Sequence, residues 1–227
     1  MKMAWPSLQI FLLMRWLRLP ALAVAVVTLF GCARTITVTI PPHVELANYP
    51  AIGVIEFVSR PPGLGADATK KFINNLHAAQ SGVRILELGS QPSVLKDAGY
   101  DVLDFKAVKA IGDHYGVAAV ITGTVDLTDP QPDVKFSTDL KSLAAGVKAK
   151  VDGRMSARLW ETASGATTWS NSSWGNWTVG GMSLGSNGSV SAGYHYPREK
   201  QDQILAALVR ALNGDFWPTY EKRNVEE

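Results

Sequence analysis

A single thiol, Cys32, closes the run Leu29-Phe30-Gly31-Cys32 in this 227-residue chain. With no second cysteine it cannot form an intrachain disulfide, but a thiol is a nucleophile that can carry a lipid. Lys2, Arg15 and Arg18 precede it, followed by an apolar stretch at residues 19–30. A positive segment, an apolar segment and small residues before a cut describe a secretory leader. The apolar stretch has 12 residues, well short of the roughly 20 that cross a bilayer as a helix. A start at Met14 gives the tidier leader.

Residues 63–68 (GLGADA) read as G-x-G-x-x-A ahead of a helix, and Glu87 ends a later strand. That spacing approaches a dinucleotide fingerprint, whose glycines let the backbone close on a pyrophosphate. Four residues, two of them prolines, separate the preceding strand from the first glycine, and the fingerprint turn is tight. The segment is therefore read as a loop whose Gly and Asp start a helix. His43, His77, His114 and His195 lie far apart, and His114 beside Asp113 points elsewhere, as adjacent helical residues do. No H-E-x-x-H pair occurs, and no second cysteine is present for redox work. The chain is expected to be a non-enzyme with no metal and no cofactor beyond a covalent lipid on Cys32.

Four tryptophans, Trp160, Trp169, Trp174 and Trp177, fall within 18 positions. Trp160 and Trp169 are read as hairpin core, where large rings suit a pleated surface. Trp174 and Trp177 are read as interface, since tryptophan is enriched at binding hot spots and at membrane boundaries. After the turn signal Ser186-Asn187-Gly188, Val190, Ala192, Tyr194 and Tyr196 alternate with small or polar residues. Such alternation with an aromatic edge is how an outer-membrane strand is patterned. Before the turn, Met182 and Leu184 share one face, whereas Trp177 and Val179 share the other. The candidate interface or membrane contacts are thus Trp174, Trp177, Met182, Leu184, Val190, Tyr194 and Tyr196. Residues 126–153 are more charged, with Asp129, Asp133, Lys135, Asp139, Lys141, Lys148 and Lys150. A lipid-facing charge costs about 2–4 kcal/mol at the bilayer midplane.

The chain carries 22 Lys and Arg against 20 Asp and Glu. Three of the basic residues and none of the acidic ones precede Cys32, so the remainder counts 19 against 20, a net charge of −1. No basic stripe survives to argue for nucleic acid. The 196 residues from Cys32 onward suffice for one domain with a real core.

Residues 51–58 (AIGVIEFV) form a short β-rich run, as in a strand covered on both faces. Helical periodicity follows through Phe72, Ile73, Leu76 and Ala79, ending at Ser81-Gly82. Residues 83–88 (VRILEL) make a second strand. Asp104 is a good N-cap for a helix bearing Phe105, Val108, Ile111 and Tyr115, Gly116 ends it, and residues 117–125 are a third strand. Residues 156–161 and 167–173 flank a turn at 162–165 (TASG) and read as a hairpin. Ile204, Leu205, Leu208, Val209 and Leu212 share one face of a last helix. The order β-α-β-α-β-β-β-α predicts an α/β (α+β) fold, a mixed β-sheet with helices packed against it.

Gly31-Cys32 resembles the lipobox of bacterial lipoproteins, in which the thiol is acylated and the leader cut before it. The strand AIGVIEF, the helix ending Ser81-Gly82 before VRILEL, the block IGDHYGVAAVITGTV at 111–125 and the block ARLWETASGATTWS at 157–170 together resemble the curli-secretion (CsgG-type) lipoprotein family. Its relatives include periplasmic lipoproteins that activate penicillin-binding proteins. The resemblance covers residues 50–215, and no single motif in it is catalytic.

It implies a signal peptide at 1–31, a lipidated tether at 32–50, a CsgG-like domain at 51–217 with insertions at 126–153 and 174–197, and a tail at 218–227. Ala33 is not the aspartate that retains many lipoproteins in the inner membrane, so under that sorting rule the resemblance implies the periplasmic face of the outer membrane. The function implied is a lipid-anchored binding or scaffold protein for other envelope proteins. The alternatives are a homo-oligomeric export channel and an activator of a peptidoglycan synthase.

Overall fold

The computed structural model of the protein describes residues 34–132, 147–182 and 198–225. Cys32, Leu184, Val190, Tyr194 and Tyr196 lie outside them. Within residues 41–219 three parallel strands come first: β2 (Ile52–Ile55), β4 (Ile85–Gly89) and β5 (Ala119–Leu127), with β2 between the other two. The two-residue β3 (Val58–Ser59) continues the line of β2 beside β5. Then β7 (Val147–Glu161) runs antiparallel to β5, and β8 (Thr167–Met182) antiparallel to β7. A short β6 (Gln131–Pro132) also pairs with β7. Among the described residues the mixed sheet carries four helices: α1 (Leu64–Ala79), α2 (Gln91–Asp97), α3 (Phe105–Tyr115) and α4 (Arg198–Leu212).

Local chemistry accounts for the boundaries. The Asp104 carboxylate accepts from the amides of Lys106 and Ala107 at 3.0 and 2.8 Å, satisfying donors that the first turn of α3 leaves open. Gly116, at φ 66°, closes α3 with its amide on the Gly112 carbonyl, a left-handed cap that favours glycine. The β7–β8 turn is held by Gly165 N–H on the Glu161 carbonyl and by the Ser164 hydroxyl on the Glu161 carboxylate at 2.6 Å.

The two faces of the sheet are covered unequally. On one, Leu64, Phe72, Ile73 and Leu76 of α1 and Ile204, Leu205, Leu208, Val209 and Leu212 of α4 meet the inward residues of every long strand. An aromatic chain runs through this layer. Phe57 lies 5.1 Å from Phe72, Phe72 6.4 Å from Phe216, and Phe216 4.7 Å from Trp169. On the other face, Val94 and Leu95 of α2 and Ala107 and Ile111 of α3 pack on Ala51, Ile55, Val117 and Val120. That second layer sits over β2 and the start of β5. Among the described residues no helix covers the same face of β7 and β8.

Several sequence expectations change here. The strand expected at 156–161 begins at Val147, and the one expected at 167–173 continues to Met182. The described parts of the insertions at 126–153 and 174–197 are therefore largely sheet, and Trp174 and Trp177 lie in β8. The proposed tether and tail contain β1 (Arg34–Ile40) and β9 (Thr219–Val225), which pair in a separate two-stranded sheet. There the Thr35 hydroxyl donates to Asn224 Oδ1 at 3.1 Å.

Candidate functional site

The glycine motif at 63–68 is occupied by its own protein. Gly65 N–H donates to Ser59 Oγ at 2.9 Å, and that hydroxyl donates to the Pro61 carbonyl. Thr69 Oγ1 accepts from Phe57 N–H and donates to the Gly65 carbonyl, each at 2.8 Å. A Cβ on Gly65 would lie 1.9 Å from the Phe57 carbonyl oxygen. Close approach of helix to strand, rather than of backbone to a phosphate, accounts for this glycine.

His43, His77 and His114 are all exposed, and the described residues contain no group of three His, Cys, Asp or Glu side chains able to hold a metal. The Tyr115 phenol has a raised pKa. Burial, then the hydrogen bond to Asp97 Oδ2 at 3.0 Å and its negative charge, hold the phenol above its ordinary 10.0. A raised folded pKa means that the neutral phenol's contribution to stability is full below pH 10.0 and is lost as the pH climbs through the folded value. Tyr115→Phe is expected to remove that part of the alkaline dependence, read from urea midpoints between about pH 9 and about pH 11. An unchanged slope would show that the Asp97 contact does not couple to stability.

The surface left open is the outward face of the β7–β8 hairpin. Strand period 2 sends Trp169, Ser173, Trp177 and Val179 of β8 inward, where the Ser173 hydroxyl donates to the Leu208 carbonyl of α4 at 2.9 Å. Thr168, Ser170, Ser172, Trp174, Asn176 and Thr178 face out and are exposed. The two predicted interface tryptophans therefore separate. Trp177 packs half-buried against the main core, whereas Trp174 is 80% exposed. Met182 closes β8.

Trp160, expected in the core with Trp169, lies on the opposite face, half-buried, its indole N–H on Thr122 Oγ1 at 3.0 Å. A register shift between Leu159 and Trp160 sets Trp169 opposite Leu159 and Thr167 opposite Trp160.

Cross-strand register assembles a polar row around Trp174. Asp126 of β5 is opposite Arg154 of β7, and Arg154 is opposite Trp174 of β8. Asp152 and Asn176 form the adjoining pair, with Asn176 Nδ2 donating to Asp152 Oδ1 at 2.6 Å. Asp126 Oδ2 meets Arg60 at 3.2 Å, while its Oδ1 is buried without a hydrogen-bond partner. A groove of about 480 Å³ lies along these residues. A second groove of about 300 Å³ continues the same face past Ser156, Arg158 and Trp160. Sequence reasoning singled out Trp174 but missed Asp126, Asp152, Arg154 and Asn176, whose proximity depends on strand register.

The edge of β8 is also open. Among the described residues β7 is its one partner, and its 16 residues contain neither proline nor a charge. Free edges template strand addition unless charge, proline or a bulge blocks them; the two bulges of β8, at Thr168 and Gly180, leave residues 169–179 regular between them.

No protein-family model matches the chain, and no curated protein matches it in sequence. Solved structures do resemble its fold. One is the PelC dodecamer from Paraburkholderia phytofirmans, 14% identical over 81% of this chain and 97% of that one, with a TM-score of 0.40. Another is lipoprotein GNA1162 from Neisseria meningitidis, 18% identical over 71% and 96%, with a TM-score of 0.36. A third is the LpoB C-terminal domain from Salmonella enterica, 11% identical over 61% and 84%, with a TM-score of 0.34. At such identities the likeness is one of fold, and the open surface is read from its own residues.

Proposed function

We propose that this chain is a lipid-anchored, non-enzymatic protein on the periplasmic face of the outer membrane that binds or scaffolds other envelope components. The observation that carries the reading is the uncovered β7–β8 surface: a free strand edge, regular over residues 169–179, beside an exposed indole. The leader ending in Gly31-Cys32 supplies the anchor. A free edge recruits an extended partner segment through main-chain hydrogen bonds, which suits a scaffold and needs no catalytic group.

A second reading, self-association, is favoured by the same edge, because an uncharged strand meets a copy of itself without repulsion. The export-channel form of that reading has less support in the described strands. Their inward face is packed on α4, and their outward face carries Asp152, Arg154 and Arg158, each costly against lipid.

A photocrosslinking amino acid placed at Ser172, on the exposed side of β8, tests the proposal in intact cells. Adducts with another envelope protein are expected at Ser172 and not at Lys70 on α1. Capture of a penicillin-binding protein would specify the activator role, and a self-adduct the oligomeric one. No adduct, or equal adducts at both positions, would remove the β8 surface as the contact.

A further inference from the structure

We propose that the groove along Asp126, Arg154 and Trp174 binds a neutral oligosaccharide, with the Trp174 indole stacked on the CH face of one sugar ring. Two features of the open sheet face have no structural explanation, and they occur in one groove. Trp174 is the large apolar residue most exposed among the described residues, at 80%, in a row otherwise made of Ser, Thr and Asn. Exposed side chains along this row need no indole for stability. Beside it, Asp126 retains an oxygen with no partner although its atom is buried, and unsatisfied buried acceptors are rare and costly. The other oxygen is held by Arg60, itself 86% exposed, in the class of ion pairs worth about 0–1 kcal/mol. Breaking that pair or turning the carboxylate about χ2 frees an acceptor at little cost.

The remaining groups narrow the ligand class. The Arg154 side chain makes no ion pair or hydrogen bond among the described residues, and the residue stands in register between Asp126 and Trp174. Its five donors are presented in a fixed plane. Asp152 and Asn176 are fixed on each other at 2.6 Å and add a second planar pair.

A cation drawn to the indole and the carboxylates would meet the Arg154 guanidinium. An anion drawn to Arg154 would meet Asp126 and Asp152. Arg154 in the lining and Arg60, paired to Asp126 from outside it, balance the charges of Asp126 and Asp152. A lipid chain finds one ring and no further apolar wall. A neutral pyranose answers the whole set: its CH face covers the indole, while its hydroxyls both donate to carboxylate and accept from guanidinium and amide. The groove volume, about 480 Å³, falls in the ordinary range of small-ligand sites, about 300–1,000 Å³. The site lies on the sheet face rather than its edge, so a strand paired to β8 leaves it accessible, and it does not depend on the lipid anchor.

Calorimetric titration of the full-length protein, in a detergent without a sugar headgroup, tests this with chitotetraose, cellotetraose and maltotetraose. At least one is expected to bind with a Kd below about 1 mM. Trp174→Ala should weaken that binding at least about tenfold, and Trp174→Phe should recover part of it, both with unchanged circular dichroism. Raising NaCl to about 0.5 M should leave it in place, because no net charge is neutralised. The proposal is overturned if none of the three binds at about 10 mM or if Trp174→Ala binds as well as the wild type. It is equally overturned if spermine binds in a salt-sensitive way and the sugars do not.

Discussion

Gly65→Ala is expected to destabilise the protein by about 3 kcal/mol, the upper part of the range for overpacking a closed contact. The new methyl would lie 1.9 Å from the Phe57 carbonyl oxygen, with the Phe57 carbonyl carbon at 3.1 Å and Ser59 Oγ at 3.2 Å. The obstacle is backbone, so no side-chain rotation relieves it. Helix α1 would have to lift from the end of β2. That movement stretches the Thr69 bridge between Phe57 N–H and the Gly65 carbonyl and opens the Phe57–Phe72 contact.

Gly63 is the internal control. It sits at φ 80°, and a Cβ there meets nothing within 4 Å, so Gly63→Ala carries only the left-handed penalty of roughly 1–2 kcal/mol. Urea unfolding of the two variants separates a packing role from a phosphate-binding one. Packing predicts a midpoint far lower for Gly65→Ala than for Gly63→Ala, whereas a nucleotide loop would make both glycines matter for binding and neither especially for stability. Equal midpoints would defeat the packing account.

Elements with a strong local signal were legible in the chain. Asp104 and Gly116 bracket α3 as expected because capping is decided within four residues. The turn at 162–165 was legible because its small residues sit between two β-rich runs. Helix α2 was not foreseen: it has seven residues and two buried apolar positions, Val94 and Leu95, too few for periodicity to register.

The full lengths of β7 and β8 were hidden for another reason. Apart from Trp160 and Trp174 their outward positions are Ser, Asn, Thr, Asp, Lys and Arg, and glycines at 153 and 175 interrupt the inward row, so residues 147–155 and 174–182 read as irregular. Pairing across the sheet supplies what local propensity lacks. The β1–β9 pair joins segments 189 positions apart, as in Thr35 to Asn224, and no local pattern encodes such a partner. The groove shares this origin. Asp126, Arg154 and Trp174 become neighbours only through two antiparallel registers, and a one-residue slip would send each to the other face.

Cys32→Ser is expected to abolish covalent lipid and leave residues 1–31 attached, with loss of resistance to carbonate extraction. A single acyl chain gives marginal, reversible membrane binding, at about 0.8 kcal/mol per buried CH₂, so stable anchoring needs a second signal. The lipoprotein pathway that Gly31-Cys32 resembles meets that need by acylating the thiol and then the new amine. Serine offers no thiolate, so neither acylation nor the cut that follows it can proceed. The retained apolar stretch cannot substitute. Its 12 residues would extend about 18 Å as a helix, against a hydrocarbon core of about 30 Å.

Charge provides an independent readout. Retaining Lys2, Arg15 and Arg18 keeps the chain at +2, whereas removal of residues 1–31 brings it to −1, a difference that isoelectric focusing resolves. Palmitate labelling and the mass of the mature N-terminal peptide complete the test. A wild-type peptide beginning at Cys32 with added lipid mass supports the anchor. A Cys32→Ser protein that stays carbonate-resistant, with its focusing position unchanged from wild type, would identify the leader as an uncleaved membrane segment instead.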